Sequence, residues 1–226
     1  MNNVTDIFFD LDHTLWDFER NSALAFQEVF NKNKLTINLD DFLEVYIPKN
    51  HAYWKLFRED KITKEELRYR RLMEVFEDIG FKITKEKVNQ LSEDYIVFLP
   101  KNNYLFDYAI PTLDYLFKKY RLHIITNGFE EVQHIKLKNA AIDNYFTTIT
   151  TSEDAGVKKP HPLIFERAVK KAETCHTKSL MIGDNLEADV LGAEKFGMKA
   201  IHFASISQPT TERLSVNSLK QLSEIL

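Results

Sequence analysis

Ile7-Phe8-Phe9-Asp10-Leu11-Asp12-His13-Thr14-Leu15 is an apolar run that stops at two carboxylates one residue apart and continues into a threonine. A run of this kind reads as a strand buried on both faces of a parallel sheet. It delivers Asp10 and Asp12 to the carboxyl end of that strand, where open α/β sheets bind ligands. Burying two carboxylates without partners is costly. The pattern therefore points to a hard divalent cation, held through oxygen, as the compensating charge.

From residue 104 onward, short apolar strands at 122–126, 146–150, 179–182 and 199–203 alternate with helical patterns at 111–119, 130–139, 162–172, 187–196 and 218–225. This alternation predicts a doubly wound α/β fold with a mostly parallel sheet, which the first strand, at 4–10, must join to be covered at its edges. Between strand one and the rest lies a stretch that is helical throughout. Ala23, Phe26 and Phe30 share a face, as do Leu72, Phe76 and Ile79, and again Val88, Leu91, Tyr95 and Phe98. Thr63 with Glu66 reads as a capping box, Gly80 as a helix stop and Thr84 with Lys87 as a further start. Pro48 predicts a kink or a break in the second helical segment. An all-helical domain is thus expected to be inserted at 18–99, with hinges near 16–19 and 99–105.

With 226 residues, 44% of them apolar, the chain can bury one large core or a core and a smaller satellite. Its net charge of −4, with lysine and arginine scattered, gives no basic face for a nucleic acid polymer and no reason to propose a membrane surface. The single cysteine, Cys175, cannot form an internal disulfide, and the first strand begins almost at Met1 with no leader pattern, so the expected compartment is the cytoplasm.

Three more polar clusters follow strands at their carboxyl ends: Thr126-Asn127-Gly128, Gly156-Val157-Lys158-Lys159-Pro160, and Gly183-Asp184-Asn185 with Glu187 and Asp189. In a parallel sheet all of them converge on one crevice. Together they supply a nucleophilic carboxylate, hydroxyl and amide donors, an ammonium, and carboxylates for a cation. That inventory suits phosphoryl transfer, where the tasks are in-line positioning and neutralising charge on the equatorial oxygens.

Asp10-Leu11-Asp12-His13-Thr14, Thr126, Lys159 before Pro160, and Gly183-Asp184 with Asp189 resemble, in order and spacing, the four motifs of the haloacid dehalogenase-like phosphohydrolase superfamily. The resemblance spans the whole chain, including a helical cap inserted after the first motif. It implies a Rossmann-like catalytic core at 1–17 and 100–226, a cap at 18–99, and a Mg²⁺-dependent phosphomonoesterase. In that mechanism Asp10 attacks phosphorus and forms an aspartyl-phosphate, while Asp12 protonates the leaving oxygen and then takes a proton from the attacking water. Mg²⁺ would be held by the Asp10 side chain, the Asp12 backbone carbonyl and Asp184, with Asp189 acting through water. Thr126 and Lys159 would clamp the transferring oxygens, Asn127 would add a donor to the phosphate, and Thr14 would support the Asp loop.

Asp12 sets the chain apart from the haloacid dehalogenases themselves, because a carbon–halogen leaving group needs no proton donor. The runs Ile124-Ile125-Thr126-Asn127-Gly128-Phe129-Glu130 and Glu153-Asp154-Ala155-Gly156-Val157-Lys158-Lys159-Pro160, with Phe165, are similar to bacterial nucleotidases that act on pyrimidine nucleoside 5′-monophosphates. Phosphatases of sugar and acylneuraminate phosphates share much of this wording. A phosphosugar mutase and a catalytically silent binding protein are the remaining readings. The expected partner is a small phosphate monoester, and the expected assembly a monomer or weak homodimer.

Each candidate has a plainer reading. Asp189 can cap a helix or face solvent, and Lys158 rivals Lys159, although Pro160 aligns Lys159 with the motif. His13 reads as a spacer between functional residues. Arg68, Tyr69, Arg70 and Arg71 form a basic cluster that reads first as a solvated helix face and second as a substrate contact. Trp16, Phe18 and Trp54 are more readily packing residues than stacking platforms. Cys175 beside His176 lacks a third group for catalysis, and the histidines at 51, 123, 134, 161 and 202 have no metal-ligand spacing.

Overall fold

In the computed structural model, residues 3–204 and 213–226 are described. Contacts divide the chain into two compact units, Met1–Phe18 with Asn103–Leu226, and Glu19–Asn102. The first unit is an α/β core whose elements run β1 (Asp6–Phe9), α1 (Phe18–Asn33, which continues into the second unit), α5 (Ala109–Phe117), β2 (Arg121–Thr126), α6 (Glu130–Asn139), β3 (Phe146–Thr151), α7 (Ser152–Ala155), α8 (Pro162–Lys171), β4 (Ser179–Gly183), α9 (Gly192–Phe196), β5 (Lys199–Phe203), β6 (Ser215–Val216) and α10 (Leu222–Ile225). The second unit carries the rest of α1, α2 (Leu39–Arg58), α3 (Lys64–Asp78) and α4 (Lys85–Phe98).

The strands form one sheet in the order β3-β2-β1-β4-β5-β6, and every neighbouring pair is parallel. This is the doubly wound, Rossmann-like arrangement. β1 lies in the middle because all four of its residues are buried, and Ile7, Phe8 and Phe9 are matched across the register by Leu122, His123 and Ile124 on one side and Leu180, Met181 and Ile182 on the other. Phe8, Ile125 and Met181 join Ile164, Phe165, Ala168 and Ala193 in a buried cluster, which seats α8 and α9 on the sheet. The strand order reverses between β1 and β4. A crevice opens at such a reversal, beyond the carboxyl ends of the strands.

Local departures from the sequence expectation have identifiable causes. The helix expected at 187–196 is one π-helical turn, Leu186–Leu191, followed by α9. The wider turn accommodates the buried, inward-facing Asp189, and π-turns of this kind gather at functional sites. Pro48 does not break its helix: α2 runs unbroken through it, held by Phe42, Tyr46, Tyr53 and Phe57 on its buried face. α7 and β6 were not expected, being four and two residues long. The last segment is a 3₁₀ turn, Leu219–Gln221, opened by a Ser218–Gln221 capping box and followed by α10.

The expected Thr63–Glu66 capping box opens α3, Gly80 follows its end with φ 69°, and Thr84 accepts from the Lys87 amide at the start of α4. Within the helical unit Phe26, Phe42, Tyr46 and Tyr95 pack ring against ring. The basic cluster on α3 is not a uniformly solvated face. Arg71 is only 2% exposed, donates to Asn50 Oδ1 at 2.7 Å and stacks on Tyr46 and Tyr95.

In the core, residues 15–17 run beside 104–106: Asp17 N–H donates to Tyr104 O at 3.0 Å and Phe106 N–H to Leu15 O at 2.9 Å. Among the described residues no helix is long and apolar enough to cross a membrane.

Candidate active site

Asp10 is the first residue past β1, and its N–H continues the ladder to Ile182 O at 2.9 Å. One residue beyond β4 stands Asp184. Asp10, Asp184 and Asp189 each offer a carboxylate oxygen within 4.8 Å of the others. Lys159 enters this cluster from the loop after α7. Its ammonium donates to Asp10 Oδ1 at 2.7 Å and to Ile125 O at 2.7 Å, and it pairs as an ion with Asp189 Oδ1 at 2.7 Å. Lys159, the lysine before Pro160, is 2% exposed. Asp189 is 1% exposed and accepts from Asn185 N at 3.0 Å, so it neither caps a helix from outside nor faces solvent.

The surrounding loops are tied to this cluster by polar contacts. Thr14 Oγ1 accepts from Asp184 N at 3.1 Å, joining the loop after β1 to the loop after β4. Asn127 holds the Lys159 main chain at both ends, accepting from its N–H at 2.8 Å and donating to its C=O at 3.0 Å. Thr126 Oγ1 accepts from Gly128 N at 3.0 Å and from Gln133 Nε2 at 2.8 Å. With both lone pairs engaged, its hydroxyl proton is left to donate.

Asp12 has partners of its own. Lys136 Nζ donates to its Oδ1 at 2.5 Å and Gln133 Nε2 to its Oδ2 at 2.8 Å. Two glycines make these approaches possible. A Cβ on Gly128 would stand 1.6 Å from Gln133 Nε2, and one on Gly183 would stand 2.3 Å from Asp189 Oδ2.

The sequence model of the haloacid dehalogenase-like hydrolases matches residues 7–203. The chain belongs to that family. This hydrolase is 30% identical to the pyrimidine 5′-nucleotidase PynA of Streptococcus pneumoniae, over 94% of its own length and 92% of the relative's. It is 28% identical to the pyrimidine 5′-nucleotidase YjjG of Escherichia coli, over 97% and 96%. Glyceraldehyde 3-phosphate phosphatases resemble it to a like degree, at 28% to 30% identity. Among solved structures, the HAD-hydrolase YfnB of Bacillus subtilis, bound to magnesium, superposes with a TM-score of 0.90 at 26% identity, covering 100% of this chain and 99% of that one.

The electrostatics of the hydrolase's site fit a divalent cation. Burial raises Asp10 to about 7; Lys159 opposes the shift, and the negative charges of Asp189 and Asp12 add to it. Desolvation, then Asp189 and Asp10, push Asp184 well above the ordinary aspartate value. Burial disfavours the charged form of Lys159, but Asp10 and Asp189 outweigh it and hold its pKa above the usual lysine value. Asp10, Asp12, Asp184 and Asp189, against Lys136 and Lys159, leave two negative charges in excess when all are ionised. Oxygen ligands with that excess suit Mg²⁺.

Three polar residues of the site escaped the sequence reading. Gln133 and Lys136 are three apart on α6, hence on one helix face. Burial lowers the pKa of Lys136 while Asp12 opposes that shift. The available signal was two polar residues on the buried face of the helix that follows Thr126. His202, on β5, donates from Nε2 to Asp184 O at 2.9 Å; a carbonyl only accepts, which fixes that nitrogen as protonated. Trp16 and Phe18 are buried and pack around Lys136. Cys175 contacts Thr177 and forms no dyad with His176.

Proposed function

We propose that this hydrolase is a Mg²⁺-dependent phosphomonoesterase that removes phosphate from pyrimidine nucleoside 5′-monophosphates. The observation that carries the reading is the separation of two carboxylates on one loop: Asp10 faces Lys159 and the acidic cluster, whereas Asp12 faces Lys136 and Gln133. Two carboxylates in different settings suit two different tasks. A dehalogenase would have no use for the second.

Asp10 attacks phosphorus and the ester oxygen departs with the proton of Asp12. Water then attacks the aspartyl-phosphate, Asp12 takes its proton, and phosphate leaves as Asp10 is regenerated. Thr126 donates its hydroxyl proton to a phosphoryl oxygen. Lys159 supplies positive charge beside Asp10, and Asn127 fixes the backbone that carries Lys159. Asp10, Asp184 and the Asp12 backbone carbonyl are the groups that would hold Mg²⁺, with Asp189 behind them. Bound there, the ion would neutralise charge developing on the phosphoryl oxygens.

Likeness to PynA and YjjG along nearly the full chain supports the choice of pyrimidine nucleotides. Ranking kcat/KM for dTMP, UMP, AMP and glyceraldehyde 3-phosphate in the presence of Mg²⁺ tests it. dTMP and UMP should exceed AMP by tenfold or more, on the order of what unpaired polar groups impose on a misfit base. Equal turnover of all four would leave only the general phosphatase reading, and preference for the triose phosphate would replace the substrate.

A further inference from the structure

We propose that Lys136, seconded by Gln133, is the positioning residue of the proton-transferring carboxylate Asp12. The proposal rests on the reading of Asp12 as acid and base. It adds that the Asp12 side chain is aimed by two side chains of α6.

Three observations carry it. Both oxygens of Asp12 are taken by one helix face, Oδ1 by Lys136 at 2.5 Å and Oδ2 by Gln133 at 2.8 Å, so the plane of the carboxylate is fixed at two points. The same Gln133 nitrogen reaches Thr126 Oγ1, so Asp12 is referenced to the hydroxyl that follows β2. A carboxylate oxygen can only accept, and this fixes the amide orientation of Gln133.

Lys136 itself is 2% exposed, with its ammonium 4.0 Å from the Trp16 ring centroid and 5.3 Å from that of Phe18. Aromatic walls hold an ammonium in place and keep water from competing for its protons. A buried lysine is a costly way to fill space, and an apolar side chain of similar length would pack the same position at lower cost. Among the described residues, the carboxylate that ion-pairs with it is Asp12. Lys136 therefore acts through Asp12, and its removal should be felt in the step where Asp12 transfers a proton.

The test compares wild type, Lys136→Met, Lys136→Arg, Asp12→Asn and the Asp12→Asn/Lys136→Met double variant on dTMP and on p-nitrophenyl phosphate. The nitrophenolate leaves without a proton, so general acid catalysis matters least for it. Lys136→Met should lower kcat on dTMP by about tenfold or more with little change in KM, and lower p-nitrophenyl phosphate turnover far less. Lys136→Arg should recover part of the loss. In the Asp12→Asn background Lys136→Met should add nothing, the mark of a residue acting through its partner.

If Lys136→Met does not fold, Lys136→Gln is read in the same assay. Equal losses on both substrates, no loss, or an additive loss in the Asp12→Asn background would overturn the role of Lys136, provided that Asp12→Asn itself discriminates between the substrates. If Asp12→Asn does not discriminate, the reading of Asp12 fails first and takes this proposal with it.

Discussion

Asp10 shows at the scale of one residue why the site needs a cation. Its carboxyl titrates near 7 because burial disfavours the charge and Lys159 offsets only part of the cost. A raised pKa means that the folded, metal-free chain takes up a proton here more readily than the unfolded chain does. The Asp10 contribution to metal-free stability is therefore present at low pH and lost as pH rises through about 7. A cation bound to the ionised cluster relieves that cost. The rise in Tm caused by a fixed excess of MgCl₂ should accordingly be small near about pH 6 and clearly larger near about pH 8, as measured by differential scanning fluorimetry. A shift of equal size at both pH values would contradict the account of Asp10.

Asp10, Asp12, Thr126 and Asp184 were legible as candidates because each lies at or just past the end of a strand, where an apolar run breaks. Lys159 lies further on, past α7, and stood out through Pro160 and the motif resemblance rather than through a strand end. Gln133, Lys136 and His202 were not legible, since a polar residue inside a helix or strand looks the same in sequence whether it faces solvent or a carboxylate. Arg71 went astray for the same reason in the opposite direction: four basic or aromatic residues in a row hide the one whose helix phase turns it inward.

At the scale of elements, β1 is anchored at both ends by carboxylates with opposite duties. Asp10 works at the carboxyl end. Asp6, at the amino end, is fully buried and bound by Arg121 Nη2 at 2.8 Å, His123 Nε2 at 3.0 Å, Thr174 at 2.7 Å and Thr5 at 2.6 Å. Burial alone would raise its pKa, but these hydrogen bonds outweigh it and hold the carboxyl below the ordinary value. Asp6→Ala strands His123 and Arg121 and should cost about 2–3 kcal/mol in urea unfolding at neutral pH, the lower part of the range because Arg121 is half exposed. With the folded pKa lowered, the advantage of wild type over the variant is full above about 3.8 and fades as pH falls through the folded value. A pH-independent difference would mean that Asp6 serves packing alone. The sequence displayed β1 plainly but gave no sign of this network, whose members come from three distant segments.

Pro48 and the π-turn at Leu186–Leu191 share a lesson about elements. Local propensity predicted a kink or a break in one place and a regular helix in the other. α2 runs unbroken through Pro48, held by its buried face, and the placement of Asp189 goes with a π-turn in place of the regular helix.

For the whole molecule, the grammar of alternating strands and helices was enough to reach the doubly wound core, because parallel pairing forces the polar clusters to one end of the sheet. Substrate choice was not reachable the same way. The motifs bear on the phosphate chemistry expected of the family, whereas no spacing in the sequence singled out residues for a leaving group. The claim on which everything else depends is that Asp10 becomes covalently phosphorylated. Mixing the Asp12→Asn variant with radiolabelled p-nitrophenyl phosphate and Mg²⁺, quenching in acid and mapping the label tests this directly, since the variant should form the acyl-phosphate but hydrolyse it slowly. The label should lie on the peptide that contains Asp10, be released by hydroxylamine, and be absent when Asp10→Asn is added; turnover by the wild type with no label on Asp10 under these conditions would contradict the account.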